Sequence, residues 1–461
     1  MKIRVDNNII IAEPTLEIKQ YCKDNLIIAN PNYYKLEKLG KWTGKTPKEI
    51  CLYEVKGNDY ILPFGCLQDV WSIHPNKNDY SVHFKPVQTI LYDSCINLYD
   101  YQENAVQAVL SKKNGILVMP TGSGKTQTGL EIISRLGGRA LWLTHTMDLL
   151  NQSLSRAKAV FGNDANCYGT ITGGKVNIGT HITFSTVQTM CKINLEQYKN
   201  EWDIIVVDEV QRVAGCPTRV TQFYKVLSSL SARYKIGLTA TPKRADKLEK
   251  SMFALLGGII HTVDRKEVEK KICKVLVKKV ETGYTPDEDA ILFGDGTLNY
   301  MAIIDDMINN EDRFKFVLSE IENLDGTAIV LANRVAYLQR LNKEYSKRSI
   351  CLSGAGYTKK AKEQRKQALD DLRAGNLDCI FASYQLAAEG LDVPNLRYVV
   401  FATPEKNEVT VIQSVGRVGR KADSKEYGTV IDFVDNFSMY RAWSKKRNSF
   451  YKKIGAEVYN G

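Results

Sequence analysis

The 461-residue sequence predicts an α/β protein: two parallel-sheet domains in tandem behind a small mixed α+β N-terminal accessory domain. Length is the first observation, since about 150 residues per domain gives roughly three domains. From about Leu98 short apolar runs alternate with amphipathic stretches, the signature of βαβ units and a parallel sheet. That alternation pauses near Gly257-Gly258 and then resumes, so it occurs twice.

Taken in order, residues 1–92 hold short runs rich in Tyr, Ile and Val. Ile9–Ile11, Leu26–Ala29 and Tyr60–Leu62 read as strands, and Thr15–Tyr21 as one short helix. In residues 93–262 the strands are Gly115–Met119, Ala140–Leu143, Ile182–Phe184, Ile204–Val207 and Lys235–Leu238. Helices such as Thr126–Leu136 and Met147–Val160 fit between them. A Lys-rich stretch, Arg265–Lys279, opens residues 263–436. The strands Thr327–Leu331, Ser349–Leu352, Asp378–Phe381, Tyr398–Phe401 and Thr429–Phe433 follow. Residues 437–461 read as a basic C-terminal tail, helical over Trp443–Lys453.

Composition narrows the function class. Hydrophobic residues make up 44% and charged residues 25%, which excludes global disorder. The net charge of +11 points to a polyanionic partner. Neither an 18-residue apolar run nor a secretory leader is read, and ten scattered cysteines without a Cys-x-x-Cys pair suggest reduced thiols. The expectation is a cytoplasmic protein with no membrane and no zinc.

Pro120-Thr121-Gly122-Ser123-Gly124-Lys125-Thr126 lies between an apolar strand and a helical pattern, the context of a phosphate-binding loop. Glycines let backbone N–H groups converge on phosphate oxygens at a helix N-terminus. Lys125 would reach the β- and γ-phosphates, and Thr126 would offer its hydroxyl to Mg²⁺. Met119 stands where the strict pattern has glycine. Downstream, the strand Ile204–Val207 delivers Asp208-Glu209 at its carboxyl end, where open α/β sheets bind ligands. Asp208 would hold Mg²⁺, and Glu209 would activate the attacking water. Gln413 to Arg420 carries Arg417 and Arg420 three residues apart on one helix face, suited to stabilising γ-phosphate charge.

Together these motifs resemble superfamily 2 helicases and translocases over roughly residues 97 to 436. The resemblance implies two RecA-like domains with ATP between them. It makes Leu98–Gln102 the adenine-reading motif, through Gln102. Thr144–Leu149 looks like motif Ia, with His145 and Met147 in place of the commoner Pro and Arg or Lys. Asp208-Glu209-Val210-Gln211 resembles motif II, and Thr239-Ala240-Thr241 the motif III that couples hydrolysis to movement. Gly390 and Asp392 fall in motif V and join the nucleotide contacts; Gln413, Arg417 and Arg420 fall in motif VI. Thr146, Gly173, Thr186, Arg334 and Ser353 become candidate phosphate-backbone contacts, so nucleic-acid binding is expected to be sequence-independent.

Thr-Ala-Thr-Pro and Gln-Ser-Val-Gly-Arg-Val-Gly-Arg look most like the DNA-remodelling members, among them phage branch-migration helicases, RecG-type proteins and transcription/repair helicases. The implied partner is single-stranded, forked or branched DNA, acted on by a monomer in a bacterial or phage-infected cytoplasm. An RNA helicase, the motor of a restriction or defence complex and a non-motor sensor remain alternatives. In the accessory domain Lys35, Lys38, Lys41, Lys45 and Lys48, with Tyr33, Tyr34 and Trp42, form a basic-aromatic stretch suited to gripping nucleic acid. Arg441 to Lys453 forms a second.

Overall fold

The structure, a computed structural model, describes residues 1–461 apart from 88, 214–215, 218–219, 243–247, 270–272, 288–290, 294–296, 353–358, 389–392, 394 and 420–424. The chain divides into two compact units. One comprises Met1–Pro120 and Gly124–Asp264; the other comprises Arg265–Gly461 together with Thr121–Ser123.

The first unit is built on an eight-stranded sheet. Its spatial order is Lys175–Asn177, Tyr168–Thr172, Ile182–Thr186, Ala140–Thr144, Ile204–Asp208, Tyr234–Thr239, Gly115–Val118 and Ile259–Thr262. Every pairing is parallel except that of the edge hairpin, where Tyr168–Thr172 meets Lys175–Asn177 antiparallel. The central strands are buried along their whole length, as strands covered on both faces must be. This explains why Ala140–Leu143 and Ile204–Val207 read as unbroken apolar runs.

The accessory domain forms a five-stranded sheet, ordered Glu54–Lys56, Asp59–Pro63, Asn8–Ala12, Lys2–Val5 and Tyr80–Val82. Ile27–Ala29 pairs with Glu49–Cys51 beside it. The expected helix runs Leu16–Asn25, started by the Thr15 hydroxyl accepting from the Ile18 N–H. Lys2–Val5 and Tyr80–Val82 are too short and too polar at alternate positions to be read from sequence. The accessory domain shares its core with the first large sheet: Ile3, Ile9, Leu62 and Phe64 cluster with Cys216, Leu248 and Ala254. Asn7 donates to the Ser228 carbonyl, and the Lys235 ammonium lies 5.1 Å over the Phe64 ring.

The second unit carries a seven-stranded, all-parallel sheet. Its order is Ser349–Leu352, Cys379–Ser383, Ala328–Ala332, Tyr398–Phe401, Tyr427–Val434, Lys274–Glu281 and Glu457–Asn460. Two features differ from expectation. The Lys-rich stretch contains the strand Lys274–Glu281, masked in the sequence by Lys274, Lys278 and Lys279. Residues 437–461 form no free tail: the helix Ser438–Lys453 leads into Glu457–Asn460, which extends the sheet. Arg447 of that helix is buried and gives Asp432 a two-pronged bond (3.0 and 2.6 Å), while Phe450 and Tyr451 are buried in the core. The spacing of these aromatics reflects core packing, so they are closed to base stacking.

Buried ion pairs brace this unit. Arg313 binds Asp435 through Nε and Nη2 (2.7 and 3.0 Å), the Tyr337 hydroxyl (3.2 Å) and the Ala402 carbonyl (3.0 Å). Asp432 also accepts from Lys279 (2.6 Å) and Tyr451 (2.8 Å).

Candidate ATP and nucleic-acid site

The phosphate loop follows the strand Gly115–Val118, and the helix Lys125–Leu136 begins at once after it. Gly122 and Gly124 adopt φ of +84° and +81°, which turns the backbone sharply enough to aim N–H groups inward. Lys125 Nζ lies 3.5 Å from the Met119 carbonyl. Gly124 is also required by close approach, because a Cβ there would sit 2.4 Å from Gln102 Nε2. Gln102 is 2% exposed, and its Oε1 accepts from the Tyr99 N–H at 2.9 Å. The residue expected to read adenine is thus packed against the loop expected to hold phosphates.

Asp208 closes the strand Ile204–Asp208 next to this loop and is buried. Burial pushes its carboxyl well above the usual carboxylate range; the Glu209 charge pushes the same way and the Lys125 ammonium opposes both. A buried carboxylate in that position gains from a cation. No cluster of three or more His, Cys, Asp or Glu exists among the described residues to cage one. Mg²⁺ fits such a sparse donor set, since it binds through one or two protein oxygens plus water and substrate phosphates. Asp208 and the Thr126 hydroxyl would be those oxygens.

Glu209 takes the left-handed conformation, φ +55° and ψ +50°. Its N–H donates to Asp208 Oδ1 (3.0 Å), and its carboxylate accepts from Gln211 Nε2 (2.5 Å). Thr239 Oγ1 lies 2.7 Å from Gln211 Oε1 and 2.9 Å from the Thr241 carbonyl, sharing one proton between these directions, and accepts from the Thr241 N–H (3.0 Å). The Thr239 carbonyl accepts from the Met119 N–H (2.8 Å), just ahead of the phosphate loop. A polar chain therefore joins Glu209, Gln211, Thr239 and Thr241, with Ala240 in the turn between the last two. In the sequence Gln211 is only the last residue of the motif II segment; Thr239 opposite it gives its amide a place in this chain.

The candidate nucleic-acid residues of the first unit lie at the carboxyl ends of neighbouring strands. Thr146 caps the helix Met147–Phe161 by accepting from the Leu149 N–H (3.3 Å), and Thr186 accepts from the Thr189 N–H (3.4 Å). Gln188 Nε2 donates to the His145 carbonyl (2.9 Å), tying the two loops together. Gly173 and Gly174, both at positive φ, form the two-residue turn of the edge hairpin. Burial lowers the His145 imidazole to about 4, with Arg212 acting the same way and Glu209 against it, so it is neutral near pH 7.

In the second unit, Gln413 and the buried Arg417 lie one turn apart on the helix Glu408–Val418. Arg334 forms an ion pair with Asp305 (3.2 Å). Ser353, Gly390, Asp392 and Arg420 lie outside the described residues. In the accessory domain Trp42 is 89% exposed, and Lys35, Lys38, Lys41, Lys45 and Lys48 are exposed around it. No helix among the described residues is long and apolar enough to cross a membrane.

Residues 95–244 match the family described as "Type III restriction enzyme, res subunit", and residues 312–422 match the "Helicase conserved C-terminal domain". A putative ATP-dependent RNA helicase of Acanthamoeba polyphaga mimivirus is 25% identical, covering 82% of this chain and 72% of its own. The DNA 3'-5' translocase XPB2 of Sulfurisphaera tokodaii is 27% identical, covering 72% and 80%. Among solved structures, the DNA-bound ATP-dependent Type ISP restriction-modification enzyme LlaBIII shares the fold, with a TM-score of 0.56 at 18% identity over 79% of this chain and 31% of that one. The phosphate loop, the acidic pair and the matched family regions together place the chain in superfamily 2, as a nucleic-acid-dependent ATPase of the helicases.

Proposed function

We propose that this helicase acts on DNA, remodelling forks and junctions by coupling ATP hydrolysis to translocation along a strand or duplex. The observation that carries the reading is the exposed basic-aromatic patch around Trp42, opposed in its own stretch only by Glu37. It sits on a domain whose core is continuous with the first motor sheet. A second grip fixed to the motor suits a substrate with more than one arm. Lysines neutralise phosphates, and an open indole stacks on an unpaired base. The likeness to a protein named as a DNA translocase supports the same cargo.

In this reading residues 1–92 are the accessory nucleic-acid-binding domain, 93–262 and 263–436 are the two motor domains, and 437–461 complete the second. Gln102 reads the adenine, while Pro120 to Thr126 cradle the phosphates. Glu209 takes the proton from the attacking water. Mg²⁺, held by Thr126 and Asp208, would neutralise charge on the phosphates. Gln413, Arg417 and Arg420 serve the γ-phosphate, with Gly390 and Asp392 as further nucleotide contacts. Thr239, Ala240 and Thr241 relay the state of Glu209. Thr146, Gly173, Thr186, Arg334 and Ser353 hold the nucleic-acid backbone without reading sequence, and Lys38, Lys41 and Trp42 hold the second arm. The protein works as a monomer in the cytoplasm.

The test is ATPase and strand separation measured on single strand, duplex, fork, four-way junction and RNA. Fork or junction DNA is expected to stimulate most. Stimulation by RNA alone would replace the DNA reading with an RNA helicase. Reversing Lys38, Lys41 and Lys45 to Glu is expected to weaken junction binding and flatten its salt dependence, by about 0.9 in log–log slope per lost phosphate contact. An unchanged slope would remove the patch from the mechanism.

A further inference from the structure

His145 presents a polar group with nothing to bind. Both ring nitrogens are buried, and neither has a hydrogen-bond partner among the described residues. A neutral imidazole holds one donor and one acceptor, and leaving either unmet in a buried place costs free energy. A buried polar group of this kind has capacity for a partner in another state of the protein.

The sheet identifies that partner. The strands Ala140–Thr144 and Ile204–Asp208 are parallel neighbours with Leu143 opposite Val207. Two residues further on, His145 and Glu209 each follow the carboxyl end of one of these neighbouring strands. The Glu209 charge is felt at the imidazole, as is that of Arg212. In the present structure the Glu209 carboxylate is engaged by the Gln211 amide instead. His145 is also the residue immediately before Thr146, and its carbonyl is held by Gln188, two residues past Thr186. It therefore stands between the loops expected to meet nucleic acid and the carboxylate expected to activate water.

We propose that His145 is a positioning residue for Glu209: nucleic acid engaging the Thr146 and Thr186 loops brings the imidazole N–H onto the carboxylate, which leaves Gln211 and turns to the attacking water. Hydrolysis is thereby tied to nucleic-acid binding inside one half of the motor. The differential contact that such a shift needs is the imidazole–carboxylate bond, present in one state and absent in the other. The proposal rests, for its trigger, on Thr146 and Thr186 being nucleic-acid contacts.

The experiment is steady-state ATPase of the full chain with Mg²⁺-ATP and the most stimulating nucleic acid, for wild type, His145→Ala, His145→Gln and Thr146→Ala. His145→Ala is expected to lower kcat at saturating nucleic acid about tenfold. The KM for ATP and the nucleic-acid concentration giving half-maximal rate should not change. His145→Gln, which restores an N–H donor, should recover part of the rate. A stimulated rate in His145→Ala equal to wild type would overturn the proposal. So would a loss matched by an equal loss of nucleic-acid affinity and left unrepaired by His145→Gln, since that marks a structural role. Thr146→Ala tests the trigger separately: weakened nucleic-acid affinity supports that contact, and unchanged affinity removes the contact while the kcat result on His145 still stands.

Discussion

Gly124→Ala tests whether Gln102, the proposed adenine reader, and the proposed phosphate loop form one unit. The added methyl would lie 2.4 Å from Gln102 Nε2 and 3.3 Å from Gln127 Oε1, on a backbone held at φ +81°. For a residue with a Cβ, the left-handed conformation costs roughly 1–2 kcal/mol. Displacing Gln102 also endangers the bond from Tyr99 N–H to its Oε1, about 0.5–1.5 kcal/mol. The loop escapes this strain only by leaving the conformation that binds phosphate. Up to about 1.5–3.5 kcal/mol is then lost from nucleotide binding, roughly 10- to 300-fold in Kd. Titration with a fluorescent ATP analogue measures the loss, and competition with GTP measures selectivity. Because Gln102 is disturbed too, the preference for ATP over GTP should shrink with affinity, while a thermal melt confirms an intact fold. A variant that binds ATP within threefold of wild type and keeps its selectivity would refute the reasoning.

Glu209→Gln should reduce kcat by about 10²–10⁴, the usual worth of a general base, while ATP still binds; a rate within tenfold of wild type would exclude Glu209 as the base. Asp435→Ala strands the buried Arg313 guanidinium, both side chains being fully buried. The expected cost is about 3–5 kcal/mol by urea denaturation, with much of it recovered when Arg313→Met accompanies it. Lys235 is buried and brought down to about 7, chiefly by burial and in spite of Asp6. Between that value and the ordinary lysine range the unfolded chain holds more protons than the folded one, so stability contributed by this site rises with pH. Lys235→Met should therefore gain most over wild type near pH 6, and the gap should narrow toward pH 10; a constant gap would mean that Lys235 does not titrate in the fold.

Much of the proposed nucleotide site is legible along the chain, because its parts are short and local. A glycine turn between an apolar strand and a helix, and an acidic pair ending a second strand, carry their chemistry within a few residues. The same holds for the alternation that announces the two sheets. Strands with polar positions were harder to see. Lys274–Glu281 hides its period behind lysines, one of which is buried only because Asp432 waits opposite it. The C-terminal aromatics shared a composition with the accessory patch and could not be separated from it until burial was known.

The sequence by itself determined the helicase class and the order of its motifs, and with them the candidates for a phosphate loop, a metal-suited carboxylate and a general base. Only the tertiary structure decided which polar groups meet. It set Gln211 between Glu209 and Thr239, Gln102 against Gly124, and His145 after the strand next to the one that ends before Glu209. It also left Trp42 open while closing Tyr451 into the core. The physical reason is that backbone period and local motif depend on neighbours along the chain. Burial and hydrogen-bond satisfaction depend instead on residues that only the parallel pairing of distant strands brings together.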